Sequence, residues 1–428
     1  MIDIRLVRDD PDAVKRALGR RGVDPAEVDD LLAADARARD AVGRRDELRA
    51  RVKELSRQVG QARKAGDDAT AGALTVESRR VADGERAAGD EAESAQGDVR
   101  QRLLVLANLP APDAPDGAGP EDNVVVRGWP EQPRAYGHHQ RVPHWDVGRQ
   151  LGILDLEGGA KLAGSMFPMF RGAGARLLRA LTGFALDRHA EAFEEVRPPT
   201  FVRTETMVST GHLPKFSDEA YHIERDDLWA IPTAEVPLTS MHRGEILEES
   251  QLPLRLTAAT ACFRREAGAA GRDTRGLLRV HEFDKVELFA YAAPEQSPAV
   301  HADMIERVEG LLQALELEYR VVDLCAGDLG NSSARTFDFE VYSPGCDMWL
   351  EVSSVSWFGD YQARRANVRY RPGGGAPTFV HTLNGSALAW ARIWAALVEN
   401  GRQPDGSVAL PKALAPYLGG QLEIPVTS

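Results

Sequence analysis

Apolar and small residues recur at Ala34, Ala38, Ala41, Leu48, Val52, Leu55, Val59 and Ala62, with only Arg45 interrupting the series. That 4-3 spacing is a heptad seam. Gly66-Asp67-Asp68 breaks it, and a weaker seam resumes through Leu74, Val81, Ala88, Ala92, Ala95 and Val99. The pattern predicts an antiparallel coiled-coil hairpin over about residues 31–104, two helices joined by a short polar turn. At about 1.5 Å per residue, an arm of roughly 34 residues is about 50 Å long. Ahead of it, residues 1–30 read as a short helical lead-in, with Asp9 or Asp10 capping a helix that has Pro11 in its first turn.

A different period governs Phe263–Phe289. This stretch reads as a strand, an Arg/Gly-rich loop, and a second strand beginning near Arg279. Arg279, His281, Phe283, Lys285, Glu287 and Phe289 occupy alternate positions and so share one face. Val280, Val286 and Leu288 make the other face apolar, diluted by Glu282 and Asp284. A face of Arg, aromatic and Glu is a poor core but a good ligand platform. Phe283 and Glu287 lie about 13 Å apart at about 3.3 Å per residue, a span that suits a nucleotide stacked at one end with an amino group held at the other. Arg264, Arg272 and Arg275 could supply planar forks for phosphates and a carboxylate. A solvated edge hairpin would carry a similar pattern, so this segment alone does not decide.

The two parts are divided by the proline-rich residues 108–135, expected as a linker. The resulting organisation is an N-terminal hairpin domain over 1–107 and a mixed α/β domain over 136–428, α+β overall. Net charge is −13, which argues against a general nucleic-acid coat. Its distribution changes that picture. Between Arg37 and Lys64 ten Lys/Arg face four Asp/Glu, net +6, whereas Leu74–Arg100 carries net −3. A +6 helix on an acidic protein is a footprint for a polyanion, unless the two arms neutralise each other. The three cysteines, Cys262, Cys325 and Cys346, have no metal-ligand spacing, so neither a disulfide framework nor zinc is expected. His138, His139 and His144 cluster without carboxylate or Cys companions and read as non-metal. With no signal peptide and no run long enough to span a membrane, a cytoplasmic protein is expected.

Three further segments carry candidate chemistry. Thr233-Ala234-Glu235-Val236-Pro237 sets a hydroxyl and a carboxylate two residues apart on an extended stretch. Glu351-Val352-Ser353-Ser354 ends an apolar strand with oxygen ligands that suit Mg²⁺. Thr382–Ala387 leads into a helix from about Leu388 to Glu399, with Ser386 and the first-turn amides facing a site and Arg392 further along.

In this order, the blocks PPTFV, TAEVPL, FRREAG…RVHEFDKVE, QARRANVRYR and TLNGS closely resemble the bacterial-type seryl-tRNA synthetases, class II aminoacyl-tRNA synthetases, over essentially the whole chain. The resemblance implies a catalytic domain built on a mostly antiparallel sheet flanked by helices. It implies ATP and L-serine as substrates, Mg²⁺ as cofactor, a homodimer with Pro198 or Pro199 in its interface element, and tRNA-Ser clasped by the hairpin at its long variable arm. Arg264 would bind the α-phosphate and the serine carboxylate, and Arg392 the γ-phosphate. Arg265, Glu266, Arg279, Val280, Val352 and Ser353 would join the ATP site, with Phe283 stacked on adenine and Glu351 and Ser354 on Mg²⁺. Thr233, Ala234, Glu235, Arg264, Glu287, Asn384 and Ser386 would form the serine pocket.

The chain departs from the family pattern at two places. Trp357 stands where the family carries Asn, and Gly385–Arg392 reads GSALAWAR where the usual run is GSGLAVGR. Drift with repacking explains these changes, but so would a paralogue with reshaped substrate or inhibitor binding. An amino acid:carrier-protein ligase would have the same motifs without the tRNA-binding arm, and a dead RNA-binding homologue would lack Arg264, Glu351 or Arg392.

Overall fold

The computed structural model describes residues 1–268 and 274–426. The chain divides into two compact units, one of Ile2–Gly19 with Val23–Leu106, the other of Met1, Arg20–Gly22 and Ala107–Ser428.

In the first unit the lead-in is two helices, α1 (Ile4–Asp9) and α2 (Pro11–Gly19). Asp10 caps the second by accepting from Ala13 N at 2.9 Å. The hairpin follows as α3 (Pro25–Lys64) and α4 (Asp68–Val105). Helix α3 starts six residues before the expected hairpin because Asp24 accepts from Ala26 N ahead of Pro25, a cap that periodicity does not see. The turn falls where Gly66-Asp67 sits: Gly66 takes φ +75°, and Asp67 caps α4 by accepting from Thr70 N. Ala34, Ala38, Ala41 and Leu55 of α3 and Ala71, Ala88 and Ala92 of α4 are buried, as the seam requires. Among the described residues five ion pairs cross between the arms, Asp30–Arg102, Arg37–Asp98, Arg44–Glu91, Arg49–Glu85 and Arg51–Glu77. Among the described residues, Lys53, Arg63 and Lys64 make no ion pair, so the surplus positive charge collects toward the turn.

The second unit is built on an eight-stranded sheet. In chain order its elements are β1 (Val124–Trp129), α5 (His144–Gln150), α6 (Ala173–His189), β2 (Glu194–Glu195), α7 (Glu235–Ser240), β3 (Leu254–Phe263), β4 (Glu282–Ala292), α8 (Ser297–Ala314), β5 (Tyr319–Asp323), β6 (Arg335–Ser343), β7 (Met348–Trp357), β8 (His381–Ala389) and α9 (Trp390–Asn400), with shorter pieces between. The strand order is β1-β5-β6-β7-β8-β4-β3-β2, antiparallel except for the β2–β3 pair. The mostly antiparallel α+β architecture is as expected. Part of the expected linker is not one: Val124–Trp129 completes the sheet as an edge strand beside β5, which proline content on both sides masks. Among the described residues, no helix is long and apolar enough to cross a membrane.

Even positions of β4, Val286, Leu288, Ala290 and Ala292, pack with α6, α8 and α9 into the main core. Its odd positions Phe289 and Tyr291 enter a second core on the opposite face. That second face, one turn of pleat earlier, carries Phe283, Lys285 and Glu287. Both faces of the strand are therefore covered, and the polar end of the odd face lies inside the protein rather than on a solvated edge.

Candidate active site

A cavity of about 550 Å³ opens over this polar face. Sequence alternation alone cannot build it, because two strands that line it contribute residues three apart. In β7 one extra residue lies between the pairs Glu340–Glu351 and Phe339–Ser353, a bulge that turns Glu351 and Ser354 to the same side. In β8 the register slips between Ser386, opposite Glu287, and Ala389, opposite Lys285. Leu388 takes φ +79° within that slip, and both Ser386 and Ala389 reach the cavity. A branched residue in left-handed backbone costs on the order of 1–3 kcal/mol, which the fully buried Leu388 side chain must offset through packing.

The floor is a closed polar network. Thr233 Oγ1 donates to Glu287 Oε2 (2.6 Å) and accepts from Lys285 Nζ (2.8 Å) and Glu235 N (3.2 Å). Lys285 Nζ lies 2.5 Å from Glu287 Oε2. Asn384 Nδ2 donates to Glu235 Oε2 (3.0 Å) and Glu287 Oε1 (3.2 Å), while Gln362 Nε2 donates to Glu235 Oε1 (2.6 Å). Gln362 is itself oriented by Thr382, whose hydroxyl donates to its Oε1 at 2.7 Å. Two carboxylates share one lysine here, and the charge does not balance. Burial first, and then the neighbouring Glu287, push the Glu235 carboxyl up to about 7. Beside them, burial and then Arg264 and Lys285 hold the His212 imidazole down to about 3, so it is neutral.

Toward the mouth the residues are cationic and aromatic. The Arg264 guanidinium lies 5.2 Å over the Phe283 ring and donates Nε to Pro232 O at 3.4 Å. Arg279 pairs with Glu266 at 2.6 Å. On the far wall Arg392 donates to Glu351 O (2.6 Å) and Leu278 O (3.2 Å). Ser354 Oγ donates to Asp338, whose carboxyl is pushed up by burial and by the nearby Glu351.

The structure thus brings Thr233, Glu235, Arg264, Glu266, Arg279, Val280, Phe283, Glu351, Val352, Ser353, Ser354, Asn384, Ser386 and Arg392 to one cavity. Glu287 supports the floor from beneath, fully buried. Ala234 is fully buried and Arg265 turns to Asp218 O, so neither lines the space. Arg275 stacks on Trp145 at 5.1 Å instead of facing the cavity, and Arg272 lies outside the described residues.

Several local expectations are corrected. The second strand begins at Glu282, so Arg279 and Val280 sit on the turn before it. Glu235 opens α7 instead of an extended stretch, with Thr233 bonded to its amide. The strand expected to end with Glu351–Ser354 runs on to Trp357, because it is paired on both edges. Helix α9 starts at Trp390, two residues late, which puts Ser386 in a strand and removes the first-turn amides from its vicinity. Lys285, His212, Asp338 and Gln362 were missed as site residues. Lys285 could have been found from its place between Phe283 and Glu287, whereas the other three reach the site only through the fold.

Known proteins share both units. The family described as the seryl-tRNA synthetase N-terminal domain matches residues 1–110, and the tRNA synthetase class II core domain (G, H, P, S and T) matches residues 216–401. A serine–tRNA ligase from Gemmatimonas aurantiaca is 50% identical over 428 residues, covering 98% of this chain and 99% of that protein.

The chain belongs to the seryl-tRNA synthetase family.

A second serine–tRNA ligase, from Prosthecochloris aestuarii, is 45% identical over 427 residues, with 98% of each chain covered. The crystal structure of the Pyrococcus horikoshii seryl-tRNA synthetase complexed with ATP aligns over 100% of both chains, with a TM-score of 0.92 at 36% identity. As a member of this family the chain is an ATP-dependent serine–tRNA ligase. Its departures from the family pattern mostly avoid the cavity. Trp357 donates Nε1 to His381 Nδ1 (3.2 Å) outside the lining, and Ala387 and Trp390 are fully buried in the main core. Only Ala391, in place of a Gly, reaches the lining.

Proposed function

We propose that the cavity activates L-serine with ATP, giving seryl-adenylate and pyrophosphate, and then transfers the seryl group to the 3′ end of tRNA-Ser. The floor network carries this reading: two carboxylates, a hydroxyl and an amide converge on a volume that suits a small hydroxylated zwitterion. The serine ammonium offsets the negative charge that burial disfavours on Glu235, and its hydroxyl joins the Thr233–Glu287–Asn384 side. Alanine and glycine would leave these buried groups underpaired, and threonine would need room for another methyl.

The ATP end follows from the mouth. Adenine stacks on Phe283, displacing the Arg264 guanidinium toward the α-phosphate and the serine carboxylate, while Glu266 and Arg279 flank the base. The serine carboxylate attacks the α-phosphorus in line, a P–O bond forms, and the bond to pyrophosphate breaks. Arg264 and Arg392 position the reacting groups and offset the charge that develops. Hard oxygens at Glu351 and Ser354, beside an Asp338 that makes no ion pair among the described residues, fit Mg²⁺, and the bound ion would supply further neutralisation of the phosphates. The tRNA 3′-terminal hydroxyl then attacks the carbonyl of the mixed anhydride, and AMP leaves.

The unpaired Lys53, Arg63 and Lys64 support tRNA-Ser as the partner of the hairpin, since the other arm already neutralises much of the remaining charge. The intact hairpin also weighs against a carrier-protein ligase, and the burial of Ala387 and Trp390 against a reshaped paralogue. A cytoplasmic homodimer is the assembly proposed, with Pro198 or Pro199 at its interface. The test is amino-acid-dependent ATP–pyrophosphate exchange over a panel of amino acids, followed by charging of tRNA-Ser. Exchange with serine but no charging would refute the tRNA half, and no exchange would refute the whole.

A further inference from the structure

Helix α9 brings two side chains, two turns apart, to the two ends of one chain of contacts. At its start, Arg392 donates Nε to Leu278 O and Nη1 to Glu351 O. Near its end, the fully buried Glu399 accepts from both the backbone N (2.9 Å) and Nδ1 (2.8 Å) of His144, at the head of α5. Leu277 N donates to His144 Nε2 at 2.9 Å, so Nε2 must hold a lone pair and Nδ1 the proton. Gly276, at φ +58°, lets the backbone come this near: a Cβ there would lie 2.4 Å from His144 Nε2. The contacts close a ring: Arg392, Leu278, Leu277, His144, Glu399 and back along α9 to Arg392.

We infer that His144 is a positioning residue for ATP, holding the Gly276–Val280 segment so that Leu278 O aims Arg392 at the phosphate end of the cavity and Arg279 stands beside the base. This deepens the proposed function and rests on its assignment of Arg392 to ATP. The imidazole touches no substrate. It fixes the main chain that the adenosine and phosphate contacts depend on, with its tautomer set by Glu399 as a carboxylate sets a histidine in many sites. Glu399 is held in turn by Ser343 Oγ and by Gly345 N at 3.0 Å. Cys346 Sγ lies 3.6 Å from Glu399 Oε1 and 3.9 Å from His144 Nδ1, so the three could surround a cation. Donors already fill both carboxylate oxygens, and Leu277 fills His144 Nε2, which favours the hydrogen-bonded relay.

The test separates the two faces of the ring. His144→Asn keeps a donor near the Nδ1 position and loses the acceptor for Leu277 N, whereas His144→Gln extends a carbonyl toward the Nε2 position. In pyrophosphate exchange on the full chain, H144N should raise KM for ATP about tenfold with KM for serine unchanged, and H144Q should recover most of that loss. Leu312→Ala, a fully buried change in α8, should lower Tm without moving KM for ATP. Should H144N not fold, Ser343→Ala, which removes one donor from Glu399, should raise KM for ATP about two- to threefold. Equal effects of H144N and H144Q, an L312A rise in KM for ATP matching theirs, an inert S343A, or one equivalent of zinc in the purified protein would overturn the inference. Arg392→Ala is the arm that tests the underlying reading: if it leaves KM for ATP unchanged, the site assignment fails, whatever His144 does.

Discussion

Replacing Glu235 by Gln should make the protein more stable as pH rises, against the usual cost of altering a buried network. The reasoning is electrostatic. Burial and the adjacent Glu287 raise the Glu235 carboxyl from the ordinary 4.5 to about 7. A carboxyl raised on folding supports the fold fully below its unfolded value and withdraws that support as pH climbs through the folded one. The whole gap is worth about 3 kcal/mol, and the part falling between pH 5 and 8 is roughly 2 to 3 kcal/mol. Gln362 and Asn384 both present amide hydrogens to Glu235, each held in that orientation by a second partner, Thr382 or Glu287. Glu235→Gln therefore meets a donor-to-donor conflict, but the protonated wild-type carboxyl meets the same one at low pH. The difference between variant and wild type should accordingly start just below about 1 kcal/mol at pH 5 and reach about 3 kcal/mol in favour of the variant at pH 8. Urea unfolding at the two pH values, without serine, measures it. A difference that stays within about 0.5 kcal/mol across that range would show that Glu235 does not ionise against its surroundings.

Four other outcomes are expected. Lys53→Ala, Arg63→Ala and Lys64→Ala together should raise KM for tRNA-Ser in charging and flatten its dependence on log salt by about 1 per lost phosphate contact, leaving exchange unchanged; an unaltered salt slope would remove the tip from the interface. Phe283→Ala should cost about 1–3 kcal/mol in ATP binding, read as a rise of roughly 5- to 160-fold in KM for ATP with serine little affected. Asp338→Asn keeps an acceptor for Ser354 but halves the local acid, so exchange should need several-fold more Mg²⁺; an unchanged Mg²⁺ titration would argue against a metal at this wall. Trp357→Phe should lose its bond to His381 and about 1 kcal/mol of stability, with KM for ATP and serine within twofold of wild type.

Much of the molecule was legible because short-range physics specified it. The heptad seam and the Gly66-Asp67 break needed only helix periodicity and one left-handed residue. The family resemblance assembled the site residues in one list, and the fold brings nearly all that were described to one cavity. Its errors were local. Pro237, two residues on, hides the start of α7 at Glu235 from a local pattern. Val124–Trp129 has a linker's local pattern because its strand partner lies almost two hundred residues away.

What the sequence determined by itself is therefore periodic or local: the hairpin, its turn, the alternating face of Phe283–Glu287, and the kinds of side chain available for ATP and serine. Tertiary structure alone decided how they meet. Bulges in β7 and β8 break strict alternation and bring residues three apart to one side. Partners remote in sequence, Gln362 and Asn384 for Glu235, Asp338 for Ser354 and Glu399 for His144, set the charge and orientation of the groups. Alternation is a property of one strand's backbone, whereas burial and neighbouring charge exist only once several strands have packed.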